Sequence, residues 1–229
     1  MATGIARVNN VHRPRAADDG QPDLPLREQA FTALKQRILQ GDVPPGTVLS
    51  EARVARELGI SRTPVREALA RLTHEGLAQR FPGRGVIVLE LGVRESIDII
   101  EVQACLEQFA ITRAFDAGRE IDADALRELL ALQATAVENG DTRRFLELDR
   151  RMHLRIVEAT DNGKLALIMQ NASDLLTYVG YRALQDRARM RETLREHEAL
   201  VRALAARDLR AALAASQAHI EGAKRRLLG

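Results

Sequence analysis

The sequence is poor in cysteine and in aromatic residues. Its 229 residues include one cysteine and no tryptophan, and aromatic residues make up only 3%. A lone Cys105 cannot form a disulfide within the chain, which fits a reducing compartment. No apolar run approaches the roughly 18 residues that cross a bilayer, and residues 1–25 lack the apolar segment of a secretory leader. We therefore expect a cytoplasmic protein with no membrane partner.

The chain also has little net charge, but its charges are unevenly distributed. The formal net charge is +2, yet the segment 53–84 holds seven arginines against three glutamates, and the remainder carries a small negative excess. A short positive segment on such a chain fits contact with a polyanion. An arginine-rich helix face that only contacts water is the simpler explanation, and charge alone favours it over contact with a polyanion.

The composition supplies what helices and a packed core need. Hydrophobic residues make up 45% of the chain and charged residues 29%, and the abundant alanine, leucine, arginine and glutamate favour helices. The length suits one large domain or two modest ones. We expect a mainly α fold in two domains, with a flexible tail at 1–24, a first domain at 25–90 and a second at 94–229.

The first domain has the pattern of three short helices followed by a hairpin. Apolar residues recur every four positions from Leu26 to Ile38, Ser50 can cap a second helix, and Pro64 falls in the first turn of a third. The Pro82–Gly85 turn then precedes a β-branched run, which predicts a two-stranded hairpin. This order of elements predicts a winged helix-turn-helix.

The second domain shows only helical patterns. About six helices, at 94–117, 122–138, 142–160, 163–187, 189–206 and 208–227, are separated by short loops. Such lengths and loops predict an antiparallel all-α helical bundle. Cys105 lies in an apolar pattern on the first of these helices, and we expect it to be buried.

Two arginines on the third helix have the chemistry of a base reader. Arg62 and Arg66 lie four positions apart, so they share one side of the helix, and a guanidinium group matches the acceptors of guanine in the major groove. Ser61 and Thr63 at the helix N-terminus suit backbone phosphates. Arg84 at the hairpin tip can reach a minor groove or a phosphate, because glycines on either side permit close approach.

The run S-R-T-P-V-R-E-A-L at 61–69, with the Gly83-Arg84-Gly85 turn, resembles the DNA-binding domain of GntR-superfamily repressors over residues 26–90. The resemblance implies that Arg62 and Arg66 read bases while Ser61 and Thr63 hold the backbone. Members often carry an arginine where this chain has Ala52, and Arg53 follows it. The full set of expected DNA-binding residues is Ser50, Arg53, Ser61, Arg62, Thr63, Arg66, Arg84 and Gly85.

Four polar residues of the second domain fall on or beside apolar helix faces. Asp149 and His153 are four positions apart on one helix, while His197 and His219 occupy two later helices. Each histidine alone is more often a hydrogen-bonded core residue than a ligand. Three inward histidines and an aspartate would crowd one core, and a divalent cation removes that conflict. Spacing alone leaves the two interpretations about even.

The bundle resembles the effector domain of the FadR branch, called FCD, over residues 94–226. The resemblance implies that Asp149, His153, His197 and His219 bind a metal that leaves room for a small carboxylate effector. Zn, Ni, Mn and Fe all suit these ligands. Members commonly place an arginine where this chain has Gln103, which puts a simple dicarboxylate in doubt. The expected effector-binding residues are Gln103, Arg113, Tyr181 and Arg182.

These features predict a ligand-responsive transcriptional regulator, a repressor, and not an enzyme. One helix-turn-helix contacts too few base pairs for specificity, so we expect a homodimer on a near-palindromic double-stranded DNA operator. Its effector would be a small organic acid. Two alternatives use the same aspartate and histidines: a regulator that senses the metal itself, and a metal-dependent hydrolase or lyase.

Overall fold

The computed structural model of the protein describes residues 24–184 and 186–228, without the side chains of residues 181–183. Residues 1–23, which make up nearly all of the expected tail, lie outside this part. The fold class is confirmed, since the described chain is mainly helical, with a small winged helix-turn-helix sheet. Within the described residues, no helix is both long and apolar enough to span a bilayer.

The first part of the chain contains three helices and three short strands. They are α1 (Leu26–Leu39), β1 (Val48–Leu49), α2 (Glu51–Leu58), α3 (Arg62–His74), β2 (Ala78–Phe81) and β3 (Gly85–Val88). Ser50 begins α2 as expected, because its hydroxyl accepts a hydrogen bond from the Arg53 amide at 3.5 Å. Ser61 begins α3, but its side chain makes no capping bond.

The sheet has one strand more than the expected hairpin. Its order is β1-β3-β2 with both pairings antiparallel, and Val48 lies opposite Ile87. A strand of two residues is too short to show the alternation that identifies strands in a sequence. The sheet packs with α1 to α3 around a core that includes Ile38, Val65 and Leu69.

The second part is a bundle of six helices within the described residues. They are α4 (Val93–Asp116), α5 (Ala123–Asn139), α6 (Thr142–Glu158), α7 (Gly163–Ala183), α8 (Arg187–Ala205) and α9 (Leu209–Leu228). Helix α4 packs against α6, α7 and α9, while α5 packs against α6 and α8. Asp122, Asp141 and Asn162 accept backbone hydrogen bonds at the starts of α5, α6 and α7.

The expectation that Cys105 is buried was wrong. The buried positions of α4 include Ile100, Gln103, Glu107, Ala110 and Ala114, which recur every three or four residues. Cys105 lies off this stripe, and its side chain is exposed.

Helix α7 joins the bundle to the first domain. Tyr178 is buried in the core of the first domain, and its hydroxyl donates a hydrogen bond to the Leu89 carbonyl at 2.6 Å. One turn earlier, the buried Asp174 carboxylate lies 2.6 Å from the Lys35 ammonium of α1, which also contacts Glu75 at 2.6 Å. Because the pair is shielded from water, its charges attract more strongly than an exposed pair would.

We expect Asp174→Ala to lower the free energy of unfolding by about 2 to 3 kcal/mol, because it removes a partner of the half-buried Lys35 ammonium. Thermal unfolding followed by circular dichroism measures this, since the chain has no tryptophan. Asp116→Ala is the control, because Asp116 is exposed at the end of α4. Equal melting temperatures for the two variants would contradict the stabilising role of Asp174.

Candidate nucleic-acid interface and metal centre

Helix α3 presents its two candidate base readers to solvent. Arg62 and Arg66 are exposed, while Val65 and Leu69, on the neighbouring buried stripe of α3, have no accessible surface. Neither arginine forms an ion pair with any residue that the structure describes. Thr63 is also exposed beside them. Both guanidinium groups are therefore free to bind an external partner.

The wing lies next to the start of α3. Arg62 lines the same shallow surface groove as Arg84 and Gly85 of the wing, and Ser50 lies in that groove too. Arg80 of β2 also lines it, although the sequence interpretation missed this residue. Its position before a turn, in a strand that is largely exposed, was the available signal.

The wing turn needs glycine, and Arg53 already has an ion-pair partner. Gly83 and Gly85 adopt φ of 74° and 92°, which side-chain-bearing residues rarely adopt. Arg53 is exposed, but its guanidinium lies 3.2 Å from the Glu57 carboxylate of the next turn. Any contact of Arg53 with DNA must therefore compete with this ion pair.

The three candidate metal-ligating histidines meet in the core of the bundle. His153 of α6, His197 of α8 and His219 of α9 are all buried, and one ligand atom from each lies within 4.8 Å of the others. The Asp149 carboxylate approaches two of them, at 3.3 Å from His197 Nε2 and 3.8 Å from His153 Nε2. The structure thus brings all four residues together.

Each imidazole is oriented by an acceptor on its other nitrogen. His153 Nδ1 contacts the Glu107 carboxylate, and His219 Nδ1 lies 3.0 Å from Glu196. His197 Nδ1 lies 2.9 Å from Gln133 Oε1. When Nδ1 donates its hydrogen to such a partner, the Nε2 lone pair is left available for a cation, as in many metal sites.

These supporting residues were missed by sequence interpretation. Glu107 and Gln133 have no accessible surface, and Glu107 is also fixed by the Ser216 hydroxyl at 2.8 Å. Arg226 binds both oxygens of Glu196, at 2.8 and 2.7 Å. A signal was present, because Glu107 falls on the apolar stripe of α4, where a carboxylate requires a partner.

The protonation states follow from burial and from the neighbouring charges. Burial lowers the pKa of His197 well below 6.5, and His219 and His153 lower it further, so this ring is neutral at pH 7. Burial also acts to lower the pKa of His153, but the Glu107 carboxylate outweighs it and raises the pKa to about 9. Burial raises the pKa of Glu196, but Arg226 and His219 bring it down to about 2.

One buried atom shows that the residues present fit a cation. His197 Nε2 has no hydrogen-bond partner among the described residues, although it faces an Asp149 oxygen at 3.3 Å. With Nδ1–H directed to Gln133, two lone pairs face each other there, and this is unfavourable in a buried site. A divalent cation bound to both atoms would remove the repulsion.

A small cavity adjoins the histidines. Its volume is about 90 Å³, and Gln103, Asp149, His153 and His219 all line it. Gly180 and Leu184, on either side of residues 181–183, line it as well, but the side chains of Tyr181 and Arg182 lie outside the described part. Arg113 is exposed near the end of α4 and is absent from the cavity lining.

Comparisons with known proteins identify the families of both parts of the chain. The profile of the gntR family of bacterial regulatory proteins matches residues 26–88, and that of the FCD domain matches residues 98–222.

Two curated relatives are similar over most of the chain. The gluconate operon transcriptional repressor of Bacillus subtilis is 29% identical, covering 76% of this chain and 74% of the repressor. The transcriptional repressor RspR of Escherichia coli K12 is 28% identical over 87% of this chain and 88% of its own. Among solved structures, E. coli McbR/YncC is 28% identical with a TM-score of 0.75, covering 90% of this chain and 98% of its own.

Proposed function

The chain belongs to the GntR family of bacterial DNA-binding transcriptional regulators and carries an FCD domain; from this premise we propose that it is a homodimeric, cytoplasmic repressor controlled by a divalent metal and a small organic acid. Its family and its named relatives are regulators and not enzymes, so the hydrolase or lyase alternative is dropped. The observation that carries the metal part of the proposal is the unpartnered His197 Nε2 facing Asp149.

DNA recognition is assigned to the exposed end of α3 and to the wing. Arg62 and Arg66 are exposed beside the buried stripe of α3, so they can enter a major groove without rearranging the core. Arg84 and Arg80 beside them add positive charge that suits phosphates. Ser61 and Thr63 are assigned to the DNA backbone, which sets the register without reading the sequence.

Arg66→Ala should weaken specific operator binding by about 1 to 3 kcal/mol, because it removes a guanidinium from the base-reading surface. A gel-shift titration on the operator, with a scrambled duplex as reference, measures the change. Arg191→Ala is the matched control, since Arg191 is an exposed arginine of the bundle. If both variants bind the operator like the unaltered protein, Arg66 is not a base reader.

The metal is assigned to Asp149, His153, His197 and His219. This set of three nitrogens and one oxygen suits Zn, Ni, Mn or Fe. When bound, the cation supplies positive charge at the end of the cavity, where an anionic group of an effector can be attracted. The chain itself orients the rings through Glu107, Gln133 and Glu196 and keeps the surroundings largely apolar.

His197→Gln should lower the affinity for Zn²⁺ by at least about 100-fold, since loss of a ligand exceeds the 10- to 100-fold typical of an outer partner. Titration with a competing chelator measures the affinity. His74→Gln is the control, because His74 is exposed in the first domain. Unchanged affinity in His197→Gln would refute the assignment.

The affinity of the unaltered protein for Zn²⁺ should rise as pH rises from about 6 to about 8, because the cation displaces a proton from His153.

The dimer is assigned to the outer face of α4. Val102 and Phe109 lie seven positions apart on one side of this helix and are 47% and 54% exposed, with Cys105 exposed between them. An apolar stripe of this kind is typical of a surface covered by another helix. A second copy of the chain fits it best, because one DNA-binding domain reads too few base pairs for a specific site.

Phe109→Glu should convert the dimer to a monomer at micromolar concentration and weaken operator binding, because it places a charge in the apolar contact. Light scattering after size exclusion measures the mass. Leu132→Glu on α5 serves as the control, since Leu132 is similarly exposed, at 44%, on a helix that packs against α6 and α8 instead. A Phe109→Glu protein that remains dimeric would place the interface elsewhere.

The cavity favours effector control over sensing of the metal alone. It borders Asp149, His153 and His219 directly, so a bound organic molecule would contact the metal site and the surrounding helices together. A pure metal sensor does not need such a space. Because the coupling is reciprocal, an effector that weakens DNA binding must itself bind less tightly to the DNA-bound protein.

A further inference from the structure

A glycine in the interior of α9 lies beside the carboxylate that holds His219. Gly222 is buried, and it is absent from the glycines whose backbone adopts a positive φ. Alanine is the better residue for an ordinary position inside a helix, because glycine loses more conformational freedom on folding. The conformation of the backbone therefore does not explain why position 222 lacks a side chain.

A side chain at position 222 would enter the space that Glu196 occupies. A Cβ atom placed on Gly222 would overlap Oε1 of Glu196 and would lie 2.8 Å from its Cδ, closer than non-bonded carbon atoms approach. A terminal nitrogen of Arg226 would lie 3.0 Å from the same Cβ. Even a single methyl group therefore forces the Glu196 carboxylate to move.

The Glu196 carboxylate can move only by losing the contacts that fix it. Arg226 donates to both of its oxygens, at 2.8 and 2.7 Å, and His219 Nδ1 lies 3.0 Å from one of them. The side chains of Glu196 and Arg226 are 20% and 10% exposed, so water replaces these partners poorly. Hydrogen bonds between charged groups are among the stronger ones, and their loss would leave the Arg226 guanidinium without its ion-pair partner.

The same carboxylate determines which nitrogen of His219 is available inside the bundle. While Nδ1 donates its hydrogen to Glu196, the lone pair of Nε2 is left for a cation. Without that acceptor, the ring can take the other tautomer, which carries its hydrogen on Nε2, or it can rotate. A displaced Glu196 therefore removes a ligand atom from the site without altering any ligand residue.

We propose that Gly222 is a positioning residue of the metal site, because its lack of a side chain makes room on α9 for the Glu196 carboxylate that orients His219. The inference rests on the proposed metal site, and it assigns to that site a residue that supplies no ligand atom. Steric room for a carboxylate, and not backbone freedom, is the reason for glycine at this position.

Thermal unfolding of the metal-free, full-length protein tests the steric part through a change of sign. Gly222→Ala should lower the melting temperature by about 2 to 4 °C or more, because it displaces Glu196 from Arg226 and His219. In a Glu196→Ala chain the same substitution should raise the melting temperature, since alanine favours the helix and the carboxylate is gone. If Gly222→Ala alone does not fold, the comparison within the Glu196→Ala chain still decides.

Titration of the same proteins with Zn²⁺ against a competing chelator tests the positioning of His219. Gly222→Ala should lower the affinity about 10- to 100-fold, the range for loss of an outer partner of a ligand. In the Glu196→Ala chain it should lower the affinity no further, because its effect passes through the carboxylate. The visible spectrum of the Co²⁺-loaded protein, which reports the geometry of the ligands, should change in Gly222→Ala as well.

Gly163→Ala is the matched control. Gly163 is the first residue of α7, and a Cβ atom placed on it meets no other atom within 4 Å. The substitution makes the same chemical change in a helix without a clash. Its Zn²⁺ affinity and its Co²⁺ spectrum should equal those of the unaltered protein.

The outcomes separate this inference from the metal assignment. A lower melting temperature for Gly222→Ala in both backgrounds would overturn the inference, because the clash would then not involve Glu196. Unchanged Zn²⁺ affinity in Gly222→Ala would overturn it too. A change of sign in a protein that binds no Zn²⁺ would uphold the placement of Glu196 by Gly222, and it would identify failure of the metal assignment instead.

Discussion

The bundle depends on how it accommodates three imidazoles and their carboxylates in its core. Buried polar groups destabilise a fold unless each has a partner. Here Glu107, Gln133 and Glu196 come from α4, α5 and α8 and hold the rings of α6, α8 and α9. The same contacts that orient the rings therefore join five of the six helices. His197 Nε2 has no hydrogen-bond partner among the described residues, and a cation between it and the facing Asp149 oxygen would satisfy both atoms.

This centre is connected to the DNA-binding domain by a short series of charged contacts. Arg150 follows Asp149 on α6, and its guanidinium lies 3.5 Å from the Asp174 carboxylate of α7. Asp174 in turn holds Lys35, which contacts Glu75 directly after α3. A shift of α6 at the metal site can therefore change the position of α3 relative to the bundle. These contacts provide a physical route for coupling between the metal site and α3. A measurement of their interaction energy would establish that coupling.

Local patterns predicted much of the fold and the identity of the candidate ligands. The four-residue spacing of apolar residues, the Ser50 cap and the glycine breaks are local signals, and the helices follow them closely. The exposure of Arg62 and Arg66 followed from their position about a quarter-turn away from the buried stripe of α3. The fold class and the family were confirmed, while the roles of the individual site residues remain predictions.

The structural features that the sequence did not predict depend on contacts between distant segments of the chain. The strand β1 exists because Val48 and Leu49 pair with β3 nearly forty residues later. Glu196 resembles an ordinary solvent-facing helix residue until the helix carrying His219 packs beside it, and the partner that Glu107 requires comes from His153 on another helix. Asp174 likewise becomes important only where α7 meets α1. The environment of each of these residues is set by tertiary packing, which no local pattern records.

The central claim is that a cation occupies the space between Asp149 and the three histidines. Anomalous X-ray diffraction from crystals of the metal-loaded protein, recorded on both sides of the metal absorption edge, tests it most directly. The account predicts one strong anomalous peak per chain, within bonding distance of the Nε2 atoms of His153, His197 and His219 and of an Asp149 oxygen. Absence of a peak between these residues, with metal bound elsewhere on the chain, would contradict it.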